Sequence, residues 1–296
     1  MATLKDVKNK IKSVKKTKQI TKAMNMVAAS KLRSCQANME AFRPYARKFA
    51  EVLGSLAERA GEGASPLLVA RDDVKKIHIV LCTSDRGLCG GFNTNLVEKA
   101  EAFIKEKTGT GVEFSLTAFG RKGRNWSRKS SAALAGEHIG IMGTAIKFNE
   151  AATAGRKLVQ GYLDGSADEV YIIYAEFLSS ARQVPVLKKL LPIPPIAKAE
   201  AEEKTQAAYL PEHICEPSAA ELLGEMLPRN VYVQLYSALL ETSACEHAAR
   251  MMAMDNATKA CNDMIGNLTL AYNKARQSAI TAELMGIVGG AEALKG

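Results

Sequence analysis

The sequence predicts an α/β fold carried on long helices: an antiparallel coiled coil of N- and C-terminal helices with an inserted, Rossmann-like α/β domain. Three observations predict it. One heptad register runs from Leu4 to Leu56, well past the roughly 3–4 heptads that separate a coiled coil from chance. A second helix-favouring stretch closes the chain, from about Ala219 to Gly290. Between them, short runs rich in β-branched residues alternate with helical segments, the pattern of a parallel sheet covered by helices. The boundaries read as residues 1–62 for the first coiled-coil helix, 63–210 for the α/β domain with its linker, and 211–296 for the C-terminal helix.

In the first helix the a positions are Leu4, Ile11, Lys18, Asn25, Leu32, Met39, Ala46 and Leu53. The d positions are Val7, Val14, Thr21, Ala28, Cys35, Phe42, Phe49 and Leu56. At ~1.5 Å per residue such a helix is roughly 80 Å long, and it stops at the Gly-Glu-Gly-Ala-Ser-Pro run, 61–66. Around Lys18, Thr21, Asn25 and Ala28 the seam is polar and thin, yet Ile20, Met24 and Val27 place apolar groups elsewhere on the same turns. A helix that is apolar away from its own seam is contacted from more than one direction, as a helix inside a sleeve of other chains would be. Pro44 falls on the outer face of the register.

In the middle segment, 74–82, 112–119 and 169–177 read as strands, with 184–196 a fourth that prolines end. Helices are expected at about 94–107 and 144–162. The run 197–208 reads as an exposed charged linker. In the C-terminal stretch Pro228 is expected to divide a short helix from the long one. Beyond it a 3–4 spacing links Cys261, Ile265, Leu268, Tyr272, Ala275, Ala279, Ala282 and Gly286, a seam that shrinks toward the end. Two long terminal helices flanking a compact segment suggest an antiparallel pair within one chain; a parallel homodimer through the first helix is the rival arrangement.

Composition narrows the function. Of the 296 residues, 47% are hydrophobic and only 6% aromatic, which favours helices over an all-β fold. No apolar run approaches the ~20 residues of a membrane span, and the lysine-rich start lacks the apolar core of a secretory signal, so the chain is expected to stay in the cytosol. The six cysteines form no C-x-x-C pair and the four histidines have no metal spacing; no metal site is expected. The net charge is +9, but residues 1–48 alone hold thirteen Lys or Arg against Asp6 and Glu40, about +11. Such a basic end suits an acidic partner: nucleic acid, anionic lipid or an acidic protein surface.

Two motifs invite a sharper reading. Asn25–Arg33, NMVAASKLR, looks like the DNA-reading segment of a basic-region zipper. However, no further basic block follows Arg33, Pro44 interrupts the would-be zipper, and the heptad register continues through the basic region instead of splaying around a groove. No nucleic-acid partner is expected. The second motif, Gly87-Leu-Cys-Gly90-Gly91-Phe92, follows a strand and precedes a helix as a phosphate cradle would. Cys89 stands at the second glycine position of G-x-G-x-x-G, and Phe92 stands where a P-loop has its lysine. A tight strand-to-helix turn is the default reading, with Ser84, Asp85 and Arg86 as capping and pairing groups. No G-x-S-x-G elbow or nucleophile–base pair stands out, so neither a catalytic site nor a cofactor is expected.

The segments 11–33, SDRGLCGGFN (84–93), EPSAAELLGEMLPR (216–229), EHAARMMAMDNAT (246–258) and 272–294 occur in the order, and over nearly the full length, of one family. The chain resembles the gamma subunits of F-type ATP synthases. That resemblance implies a rotating central shaft that couples proton flow through a membrane c-ring to ATP synthesis or hydrolysis at alpha/beta sites, and that regulates ATPase activity. It implies alpha and beta subunits, an epsilon subunit and the c-ring as partners, no catalytic site of its own, and a peripheral place at the cytoplasmic face of the inner membrane. Carried over by motif, rotor–stator contacts fall to Met24, Arg250, Arg276, Gln277, Thr281 and Glu283. The chain departs from the family at Gly286, where an acidic residue is usual, and it lacks the closely spaced cysteine pair of the plant regulatory insertion.

Overall fold

In the computed structural model, the described residues are 4–60, 65–71, 73–109, 111–130, 132–143, 145–194 and 218–293. The expected linker at 197–208 lies outside them. Helix α1 spans Leu4–Ala60, and a single helix, here α5, spans Ala219–Ala293. Between them lie β1 (Lys76–Cys82), α2 (Phe92–Thr108), β2 (Glu113–Phe119), α3 (Arg121–Ser127), β3 (Ala133–His138), α4 (Phe148–Leu163), β4 (Glu169–Phe177) and β5 (Gln183–Leu191). By contacts the chain divides into one unit of residues 1–28 with 250–296 and another of 29–249; α1 and α5 contribute to both.

The five-stranded sheet has the order β3-β2-β1-β4-β5. β1 pairs in parallel with β2 and β4, β2 pairs in parallel with β3, and β5 runs antiparallel to β4. The strands centred on β1 are buried on both faces, hence the unbroken run Ile77–Cys82 rather than an alternation. Sequence reasoning missed α3 and β3. β3 is Ala-Leu-Ala-Gly-Glu-His at the sheet edge, mostly exposed, and Ala and Gly carry little strand preference. Its place comes from pairing with β2.

The expectation that Pro228 divides the last helix is overturned: α5 runs through it. A proline inside a helix costs about 3 kcal/mol, but Leu223, Leu227 and Val231 on either side are fully buried. Burial of each such side chain stabilises by roughly 1.5–3 kcal/mol, which outweighs the lost hydrogen bond. Pro44 is likewise internal to α1 and exposed, on the outer face as the register requires.

Two cores flank the sheet. One gathers Leu53 and Leu56 of α1, Val80, Ile172 and Leu190 of the sheet, Leu158 and Tyr162 of α4, and Leu227 to Leu240 of α5. The other packs Leu96, Ala100 and Phe103 of α2 against Ile79, Leu116 and Ile173. α4 and α5 approach so closely that a Cβ on Gly155 would collide with the Tyr232 ring. Gly155→Ala is therefore expected to lose about 1–3 kcal/mol to overpacking despite alanine's better helix propensity. Gly161→Ala on the same helix meets only the Ser166 Cβ at 4.0 Å and should not lower the melting temperature; thermal unfolding of the two variants separates the effects.

Candidate functional site: a helical shaft

Within the unit of residues 1–28 and 250–296, α1 and α5 are antiparallel. Asn25 Nδ2 donates to the Met251 carbonyl at 2.8 Å, and the Thr21 and Thr258 hydroxyls meet at 2.8 Å. This settles the arrangement in favour of an intrachain pair. On α1 every a and d position from Leu4 to Leu56 is buried or half-buried, with Thr21 and Ala28 buried outright. The thin, polar part of the seam is where Thr21 and Asn25 bond across to α5. Thr21 also approaches the Lys18 carbonyl at 3.0 Å and Thr258 the Met254 carbonyl at 2.8 Å. Two hydroxyl protons serve three contacts, so one contact is always without its proton.

On α5 the predicted seam holds from Cys261 through Ile265, Leu268, Tyr272 and Ala275, all half-buried. It ends there. Ala279, Ala282 and Gly286 are exposed, and nothing lies within 4 Å of a Cβ placed on Gly286. With residue 21 beside 258 and 25 beside 251, Leu4 falls opposite about residue 275.

The helix pair leaves much apolar surface uncovered. Ile20 and Val27 on α1 are 60% and 58% exposed, and Met285 and Ile287 on α5 are 68% and 69% exposed, with Ile280, Leu284 and Val288 beside them. Ile20 and Val27 were legible in the sequence as apolar groups off the seam. The patch at 280–288 was missed, although Ile280, Leu284 and Ile287 keep a 3–4 spacing of their own. No helix among the described residues is long and apolar enough to cross a membrane.

The residues singled out by motif fall in two places. Met24, half-buried, and Arg250, only 8% exposed, each precede by one residue the partners of the Asn25–Met251 bond. Arg276, Gln277, Thr281 and Glu283 are exposed within two turns of α5. Arg276 and Glu283, seven apart, share one face, and Gln277 and Thr281, four apart, share the next. The Thr281 hydroxyl donates to the Gln277 carbonyl at 3.0 Å, so its proton is engaged on its own helix.

The glycine-rich loop after β1 is a turn, as the sequence suggested. Ser84 N–H donates to Asn93 Oδ1 at 3.0 Å, Asn93 Nδ2 donates to Cys89 Sγ at 3.1 Å, and Asp85 accepts the Arg121 and Gly140 N–H groups, each at 3.0 Å. Leu88 and Gly90 have φ of 64° and 58°, the left-handed values a tight turn requires. In open α/β sheets ligands bind outside the carboxyl ends of the strands where the order reverses, here between β1 and β4. α5 occupies that end of the sheet: Cys245 Sγ donates to the Ala175 carbonyl at 3.4 Å, and the Phe177 N–H bonds to Glu241.

His78 is the most perturbed histidine. Burial pushes its pKa down to about 4, and its two ring nitrogens meet Ser115 Oγ at 2.7 Å and Thr117 Oγ1 at 2.9 Å. Among the described residues no group of three His, Cys, Asp or Glu is placed to hold a metal ion.

The model of the family described as ATP synthase matches residues 3–294. A relative from Desulfosudis oleivorans named ATP synthase gamma chain is 63% identical over 298 residues, covering 100% of both chains. The chain belongs to the ATP synthase gamma chain family. A second member, from Desulforapulum autotrophicum, is 57% identical over 99% of this chain and 100% of its own. Among solved structures, a chain from the central stalk and c-ring of Tetrahymena thermophila mitochondrial ATP synthase is 27% identical, with a TM-score of 0.58, over 80% of this chain and 99% of that one. A chain of the Euglena gracilis mitochondrial enzyme, 18% identical, shares the fold with a TM-score of 0.67 over 98% and 94% of the two chains.

A pH dependence follows from His78. Above about pH 6.5 the imidazole is neutral in both folded and unfolded chains, and its contribution to stability is complete. As the pH falls toward 4 the unfolded chain takes up a proton that the folded chain refuses, so stability drops, by up to roughly 3 kcal/mol. Urea unfolding at pH 7 and pH 4.5 should show this loss in the native chain and about one proton less of it in His78→Gln.

Proposed function

We propose that the chain is the non-catalytic central shaft of a rotary ATP synthase. It turns within alternating alpha and beta subunits, is driven by proton flow through a c-ring at its base, and binds an epsilon subunit there. The observation that carries this reading is apolar surface left open on a helix pair whose own seam is already closed. A two-helix coil in water has no use for exposed Ile20, Val27, Met285 and Ile287; a shaft bearing on a surrounding sleeve does. Apolar contacts are non-directional, so they hold the shaft centred without fixed polar bonds to break at each step.

The lysines of α1 from Lys5 to Lys22 are exposed except Lys18, a basic face suited to acidic loops of catalytic subunits. Because α1 and α5 carry different side chains, the shaft presents a different face to each of three catalytic sites. Each orientation favours one site conformation, which is a coupling free energy between distant sites. Met24, Arg250, Arg276, Gln277, Thr281 and Glu283 serve as rotor–stator contacts in this reading, and the open space at Gly286 marks a polar contact that this chain does without. The same coupling lets the shaft regulate ATPase activity. The chain is then a peripheral subunit at the cytoplasmic face of the inner membrane, attached through the c-ring.

Co-purification of alpha and beta subunits with a tagged chain tests the assembly; recovery of the chain alone would sink it. Leu284→Asp with Ile287→Asp should leave the melting temperature of the isolated chain within about 1 °C, since both side chains are exposed there. In the assembled enzyme it should reduce coupled ATP synthesis at least fivefold, because each carboxylate must be desolvated against the sleeve. For Arg250→Ala, ATP synthesis by the assembled enzyme should fall further than the loss of folded chain explains. Equal losses of folding and coupling would make Arg250 a purely structural residue.

A further inference from the structure

A cavity of about 320 Å³ lies between α4 and the face of β1, β2 and β3. Small-molecule sites run from roughly 300 to 1,000 Å³. The sheet side is polar, with His78 on β1 and Ser115 and Thr117 on β2; Lys157 of α4 and His138 of β3 line the same space. The register of β3 keeps the hydroxyls accessible. Gly136 stands opposite Thr117, where a Cβ would come within 3.2 Å of the Thr117 hydroxyl. Glu137 stands opposite Ala118, whose side chain joins the other core, and its carboxylate lies 3.9 Å from Arg124 of α3. The carboxylate of β3 is thus turned away from the two hydroxyls.

The count of protons on that polar side points to an anion. The His78 ring nitrogens meet Ser115 Oγ at 2.7 Å and Thr117 Oγ1 at 2.9 Å. A neutral imidazole has one N–H, so one hydroxyl donates to the ring and the other accepts from it. The accepting hydroxyl keeps its own proton for the cavity. A protonated imidazole donates from both nitrogens, so both hydroxyls accept and both of their protons are released to the cavity. An anion resting on the two hydroxyls therefore favours the protonated ring, and the Lys157 ammonium supplies a second positive charge. Without such a counter-charge burial holds the ring neutral, with a pKa of about 4.

We propose that this cavity binds a phosphate group, either as free phosphate or as part of a small phosphorylated molecule. Its oxygens accept from the Ser115 and Thr117 hydroxyls and from the Lys157 ammonium, and His78 takes up one proton from solvent as the anion binds. His138, the other histidine lining the cavity, is stacked on Phe119 with 4.5 Å between ring centroids and stands outside the hydroxyl pair. β4 contributes the apolar Val170 beside His78.

Isothermal titration calorimetry on the full-length chain, at constant ionic strength balanced with chloride, tests it with inorganic phosphate, glycerol 3-phosphate and sulfate. Phosphate should bind saturably, and Lys157→Met should weaken it at least tenfold. Lys157 is exposed, so this variant keeps the fold; circular dichroism checks it. Loss of one cation among 40 Lys and Arg would leave adventitious binding to a basic surface unchanged. A glycerol 3-phosphate affinity at least tenfold above that of phosphate makes the ligand a phosphorylated molecule; any smaller gain makes it free phosphate. Sulfate does not titrate between pH 5.5 and 7.5, so its pH dependence reads the protein alone. It should bind at least fivefold tighter at pH 5.5 in the native chain and in His138→Gln, but not in His78→Gln. Absence of saturable heat from both phosphate and glycerol 3-phosphate overturns the proposal. So does unchanged affinity in a folded Lys157→Met, or a sulfate pH dependence that survives in His78→Gln or vanishes in His138→Gln.

Discussion

The burial of α5 from Leu223 to Ala248 is the constraint on which the rest of the 29–249 unit depends. Leu223, Leu227, Val231, Leu235, Leu239, Ala244, Cys245 and Ala248 have no exposed surface, which a helix achieves only when it is covered on several sides. α1 covers one side through Met39, Phe49 and Leu53, and the sheet and α4 cover others. The same helix closes the carboxyl end of the sheet through Cys245 and Glu241.

That fastening gives the α/β domain a mechanical meaning. A helix held only by its seam can slide or roll, because seam contacts are apolar and non-directional. Hydrogen bonds from β4 to α5, together with the Gly155–Tyr232 approach, fix both its axial and its rotational setting. In the 1–28 and 250–296 unit the corresponding fixed points are Asn25 to Met251 and Thr21 to Thr258. Polar groups at a and d positions cost stability but specify register, and a shaft that turns needs a register that does not slip.

The contrast between satisfied and open surface carries the function. Around Thr21, Asn25 and Ala28 the paired helices meet with small or polar residues, and the pair turns Ile20, Val27, Leu284, Met285 and Ile287 outward. Exposed apolar patches of this extent mark interaction sites on soluble proteins. The polar candidates follow the opposite rule: Arg276, Gln277, Thr281 and Glu283 stand in water, whereas Arg250 is folded into its own chain. Motif position alone treats these residues alike; burial divides them.

Much was legible in the sequence because periodicity is a local property. The a and d positions of α1 and the off-seam Ile20 and Val27 follow from a spacing of 3.5 residues, and the strands β1, β2, β4 and β5 from short runs rich in β-branched residues. The tight turn at the glycine-rich loop was also legible, since Cys89 and Phe92 stand where the phosphate-cradle motifs need glycine and lysine. What only the tertiary structure decided is set by partners distant in the chain. β3 is a strand because β2 lies beside it, its own residues being poor strand formers. α5 continues through Pro228 because buried neighbours on both sides outweigh the helix break. The seam on α5 is followed as far as Ala275, which lies opposite about Leu4 of α1, and no spacing within α5 could have announced which residues of another helix face it.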